Sequence, residues 1–86
     1  MKREKIKSDS IKSVGFDKSE KILEIEFTTG EIHQYFDVPK SVYKKFLKAE
    51  SRDQYFMADI RKKFYTLNVG DEPNASNFVS AGYNLN

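Results

Sequence analysis

Cysteine and tryptophan are missing from this 86-residue sequence, and histidine occurs once, at His33. Without cysteine there is no disulfide framework, no thiolate nucleophile and no zinc finger or ribbon. A single histidine excludes multi-histidine metal sites and leaves one candidate for a histidine general base. No metal and no cofactor is therefore expected. Glycine is scarce, with four residues at positions 15, 30, 70 and 82. They are too scattered to form a phosphate-binding loop. No apolar run approaches the ~20 residues of a membrane span. The start, Met1-Lys2-Arg3-Glu4-Lys5, is charged, but no apolar stretch follows it as a secretory signal requires. The expectation is a soluble, cytoplasmic chain with no membrane partner.

What is present is charge and aromatic bulk. Charged residues make up 33% of the chain and aromatics 14%, with seven Phe and five Tyr. That is enough for the small core of one domain, which at this length has a thin stability margin. The net charge of +2 conceals a segregation. Residues 1–8 carry four cations and one anion, and residues 9–38 carry three cations and seven anions. Residues 39–65 carry eight cations and three anions. A basic arm and a basic middle thus flank an acidic segment.

Periodicity assigns the elements. Residues 1–9 read as a basic arm with almost no apolar area, so removal of residues 1–8 is expected to leave folding intact. Residues 10–16 alternate with strand period, and residues 21–27 do so most cleanly. Leu23, Ile25 and Phe27 fall on one face there, with Glu24 and Glu26 on the other, solvated one. Gly30 marks a hairpin turn before a third strand over residues 32–36. The period then changes. Pro39 suits a helix start, and Val42, Tyr43, Phe46 and Leu47 form an apolar stripe. Ser51-Arg52-Asp53-Gln54 has the form of a capping box and opens a second helix, with Tyr55, Phe56, Ile60 and Phe64 as its inner side. Residues 66–86 form an Asn-rich tail, in which the 66–70 stretch is a candidate fourth strand.

The fold class is α+β, a three-stranded antiparallel meander packed against two short helices. The expected core is Val14, Leu23, Ile25, Phe27, Phe36, Val42, Phe46, Leu47, Phe56 and Ile60. Alternation sets Phe36 opposite Tyr35 and leaves open which of the two faces the helices.

The stretch Ile11–Tyr65 resembles the KTSC domain. The matching pieces run in order. They are Ser13-Val14-Gly15-Phe16-Asp17, Leu23-Glu24-Ile25-Glu26-Phe27 and Tyr35-Phe36-Asp37-Val38-Pro39, then Val42-Tyr43, Ala49-Glu50-Ser51, Tyr55-Phe56 and Ile60-Arg61. The first Tyr of the family's central Tyr-x-Tyr is His33 here, and Ser51-Arg52-Asp53 lacks the glycine that tends to follow the family's Ser-Lys step. The family is named for a C-terminal segment of some lysyl-tRNA synthetases. That linkage implies RNA as a partner, and the resemblance strengthens the fold assignment on residues 10–65.

Candidate chemistry is sparse. His33 with Glu31 or Asp37 has the makings of an acid–base pair, but no positioned nucleophile accompanies it, and a surface histidine on a strand accounts for it. No catalytic residue is assigned, and the chain is not expected to be an enzyme. Lys40, Lys44 and Lys48 recur every four residues and make one positive ridge, which Arg52, Arg61, Lys62 and Lys63 extend if the helices lie side by side. Phosphate backbones reward such a ridge through counterion release, and a solubilising outer face is the competing explanation. Tyr35 and Tyr43, with His33 on the face of Tyr35, are candidates for stacking unpaired bases. The expectation is a non-enzymatic module that binds RNA or single-stranded nucleic acid on a basic helical face. The alternative is a protein–protein interaction module, such as a small phage or accessory protein, using the sheet edge or the aromatic tail.

Overall fold

A computed structural model describes residues 2–70 of the chain. The part of the tail beyond residue 70, with the aromatic residues Phe78 and Tyr83, lies outside the described residues.

The α+β class holds, with more strands than periodicity alone supplies. Five antiparallel strands run in chain order across one sheet. They are β1 (Glu4–Lys5), β2 (Ile11–Asp17), β3 (Ile22–Phe27), β4 (Ile32–Tyr35) and β5 (Thr66–Gly70). The expected three-stranded meander is β2–β4. The candidate fourth strand is realised as β5, paired with β4 through Tyr35 opposite Thr66 and Gln34 opposite Leu67. The fifth strand, β1, comes from the basic arm. Glu4 pairs with Val14 and Lys5 with Ser13. The arm is therefore docked on the body, for a reason that apolar content does not reveal: its backbone supplies ladder hydrogen bonds and its Arg3 supplies a counter-charge.

Helix α1 spans Lys40–Lys48 after Pro39, and helix α2 spans Arg52–Tyr55. The serine half of the expected capping box is formed, with Ser51 Oγ accepting a hydrogen bond from the Gln54 backbone N–H at 3.2 Å. α2 passes directly into a π-helical turn over Phe56–Ile60, closed by Arg61 N–H donating to Phe56 O at 2.8 Å. The hairpin between β3 and β4 turns through Gly30, whose φ of +100° lies where glycine is favoured.

The core lies between the sheet and the helices. Its buried members are Ile11, Val14, Leu23, Ile25, Tyr35, Val38, Phe46, Phe56 and Ile60. Phe27, Val42 and Leu47 pack against this cluster and are partly buried. Tyr35, Ile11 and Val38 are buried although none is in the expected core, Val38 by lying fully enclosed just before α1. Tyr35, not Phe36, faces the helices, because β4 pairs Leu23 opposite Tyr35 and cross-strand partners share a face. Phe36 is only half-buried and lies against the Tyr65 ring at 5.8 Å. Ile11, absent from the expected core, enters it through a β-bulge. Ile11 opposes Phe27 while Ser13 opposes Glu26, so Lys12 is the extra residue, and strict alternation breaks there.

The outer sheet face also departs from expectation. Glu26 is 7% exposed, not solvated. It accepts a hydrogen bond from Ser13 Oγ at 2.8 Å and lies within ion-pair distance of Arg3 and Lys12. Glu24 pairs with Arg3 at 3.2 Å and accepts from Gln34 Nε2 at 2.8 Å. A buried carboxylate needs such partners to remain charged.

Candidate functional site

The cations expected to act together are distributed unevenly. Lys40, Lys44 and Lys48 stand exposed along α1, and none forms an ion pair with a described residue. Lys62 is exposed in the turn after the π-helical segment, and Lys63 beside it pairs with Asp59 at 3.3 Å. Arg52 does not extend the ridge. Its guanidinium is directed inward, donating from Nη2 to Leu47 O at 2.7 Å and from Nη1 to Lys7 O at 3.4 Å. It thereby caps the end of α1 and ties down the N-terminal segment.

Tyr35 is not available for stacking. It is 2% exposed, and its ring meets Phe56 edge-on at 5.6 Å. Burial pushes its hydroxyl pKa up, against a hydrogen bond with the Thr66 side chain that lowers it. His33 is half-buried and keeps one edge accessible. Its Nε2 lies 3.1 Å from Glu31 Oε1. A carboxylate only accepts, so Nε2 carries the hydrogen in this contact.

A groove of about 410 Å3 brings several of these residues together. Phe27, His33, Tyr35 and Phe56 form its aromatic wall, and Ser10, Thr28, Thr29, Glu31, Arg61 and Thr66 supply polar atoms around it. The rings interlock. Phe27 meets His33 at 5.0 Å and Phe56 at 5.6 Å, both edge-on. The π-helical turn explains why Arg61 is present. Residues five apart are brought onto one side of the axis when the turn widens to an i→i+5 bond, so Phe56 and Arg61 both reach the groove. Periodicity finds Phe56 and Arg61 but cannot unite them, since it assumes α-helical spacing. Phe27, Thr28 and Thr29 were legible only as a strand end and a turn.

Beside the groove, Asp53 organises the chain that enters β2. It accepts from Ser8 Oγ at 2.7 Å, from the Asp9 backbone N–H at 3.1 Å and from the Ser10 N–H and hydroxyl. These donors, the Ser10 hydroxyl foremost, hold the Asp53 pKa down to about 2. Among the described residues no cluster of three or more His, Asp or Glu side chains could hold a metal ion. No helix among them is long and apolar enough to cross a membrane.

A five-stranded antiparallel meander under two short helices, with a groove lined by aromatic rings, defines a small α+β domain. Residues 7–65 match the model of the KTSC domain, and the chain belongs to that family. It is similar to the crystal structure of a KTSC domain protein from Yersinia pestis, with a TM-score of 0.78 and 32% identity over 80% of this chain and 97% of that one. An uncharacterized protein of Stutzerimonas stutzeri is 35% identical over 65 residues, 76% of this chain and 92% of that protein. A lysine–tRNA ligase of Nostoc punctiforme is 37% identical over 54 residues, which cover 63% of this chain and 10% of the enzyme.

Proposed function

We propose that this KTSC domain is a non-enzymatic binding module for single-stranded RNA, held by its phosphates on the helical side. The observation that carries this reading is the row of exposed lysines along α1. Glu24 and Glu26 are matched by Arg3 and Lys12 on the outer face. Lys40, Lys44 and Lys48 project from α1 with no carboxylate partner among the described residues. Unpaired cations in solvent are the groups that displace condensed counterions from a phosphate chain. The similar segment in a lysine–tRNA ligase, an enzyme named for tRNA, supports RNA over other polyanions.

Titration of fluorescent single-stranded RNA at two salt concentrations tests the reading. Lys44→Glu with Lys48→Glu should weaken binding to every sequence and flatten the salt slope of log affinity by ~0.7 for each phosphate no longer neutralised. The melting temperature should barely move, because both side chains are solvated. Absence of wild-type binding at low salt, or unchanged binding by the charge-reversed protein, would overturn it. A protein-interaction module would then lead, on the strength of β5. Tyr65 is 69% exposed, and Leu67 and Val69 beside it are exposed as well.

A further inference from the structure

We infer that the groove between the β3–β4 hairpin and the π-helical turn receives one unpaired base of the bound strand, and that Glu31 selects guanine there. This inference rests on the RNA reading and adds sequence preference to it. The groove's volume of about 410 Å3 lies in the ~300–1,000 Å3 range of small-molecule sites. Its wall presents the partly exposed rings of Phe27 and His33 over the buried Phe56, an apolar surface against which a flat heterocycle packs whatever its identity. Two charged groups of opposite sign border it, Arg61 and Glu31. That pairing fits a nucleotide, which is itself anionic at the phosphate and carries hydrogen-bond donors at the base edge.

The geometry divides the roles. Arg61 forms no ion pair with a described residue and is exposed at the rim of the groove, where its guanidinium can take the phosphate of the bound nucleotide. Glu31 is steadied by His33, whose Nε2–H donates to Oε1, leaving Oε2 and the remaining lone pairs for an incoming donor. A carboxylate accepts and never donates. Guanine is the base that presents two adjacent donors, N1–H and the exocyclic N2 amine, to such a group. Adenine and cytosine each offer one amine beside an acceptor, and uracil offers one N–H between two acceptor carbonyls. Bidentate pairing to guanine leaves fewer carboxylate lone pairs unsatisfied than any other base. The hydroxyls of Thr28 and Thr29 can donate or accept, so they add hydrogen bonds without discriminating.

The test uses short oligouridines in which the central base is uracil, guanine, adenine or cytosine, titrated by fluorescence anisotropy against the full chain. The guanine oligomer should bind roughly 10-fold tighter than the uracil parent. Glu31→Gln should abolish that preference while keeping both the salt slope and the melting temperature, since Glu31 is exposed and makes no phosphate contact. Arg61→Ala should weaken all four oligomers alike. Equal wild-type affinity for all four oligomers would overturn the guanine site and leave the RNA reading standing. So would a guanine preference that survives Glu31→Gln. No binding of any oligomer at low salt would overturn both.

Discussion

Asp53 gathers four donors from the N-terminal segment, and its electrostatics make a checkable statement about acid stability. Its folded pKa of about 2 lies below the ordinary value of 3.8 because Ser10, Ser8 and two backbone N–H groups favour the anion. A carboxylate with a depressed folded pKa adds stability that is fully present above its unfolded pKa and is lost as pH falls through its folded one. The window is therefore from about pH 4 down to about pH 2. Asp53→Asn should lower the melting temperature near neutral pH, and the gap from wild type should shrink across that window as wild type protonates. Melting curves over a pH series decide it. A gap that stays constant down to pH 2 would show that the loss is steric rather than ionic. Arg52, one residue earlier, gives the complementary lesson. Its positive charge placed it in the expected ridge, yet its guanidinium is taken up by the carbonyls of Leu47 and Lys7. A residue type announces a charge but not where its hydrogen bonds go.

Among the elements, β1 is the one whose role hydropathy underrates. It is two residues long and polar, yet it extends the sheet along the edge of β2, and Arg3 just before it reaches Glu24 and Glu26. The approach is close. A Cβ at Gly15 would lie 2.5 Å from the Lys2 carbonyl oxygen, so only glycine lets the segment come so near. Deleting residues 1–6 should destabilise the domain by about 1–3 kcal/mol, because the nearly buried Glu26 is deprived of a counter-charge. Gly15→Ala should also destabilise the full chain, by displacing β1. In the truncated chain the same substitution should cost nothing or help slightly, since alanine suits a strand better than glycine. Denaturant titration of the four proteins forms a double-mutant cycle. Additive effects would mean that Gly15 and the arm do not meet in solution. Helix α1 shows the opposite balance. Its apolar stripe and the Ser51 cap that opens α2 are local patterns, and both elements lie where those patterns put them. The π-helical turn was not visible in advance, because hydrophobic spacing of Phe56 and Ile60 fits an α-helix equally well.

For the molecule as a whole, stability rests on one layer of side chains between sheet and helices. Phe46 is fully buried at its centre, with the Tyr55 ring 6.2 Å away. Phe46→Ala should cost on the order of 3–5 kcal/mol, a large fraction of what a domain this small possesses. Loss of the cooperative melt at room temperature is the expected result, and a transition within a few degrees of wild type would place the core elsewhere.

Local order was carried by the sequence itself. Alternation in residues 21–27, the glycine turn at Gly30, the proline before α1 and the serine cap before α2 depend on neighbours a few residues apart, and such patterns can be read along one chain. The family resemblance over residues 11–65 followed from the same stretches. Tertiary structure alone decided the rest. Pairing register chose Tyr35 over Phe36 for the interior, a single bulge at Lys12 carried Ile11 inward, and a polar arm became a strand because an acidic sheet face needed its arginine. The groove belongs to this second class. Its walls come from β3, β4 and the π-helical turn, segments that no sequence period relates, and only the summed energy of long-range packing brings Phe27, His33, Phe56 and Arg61 to one place.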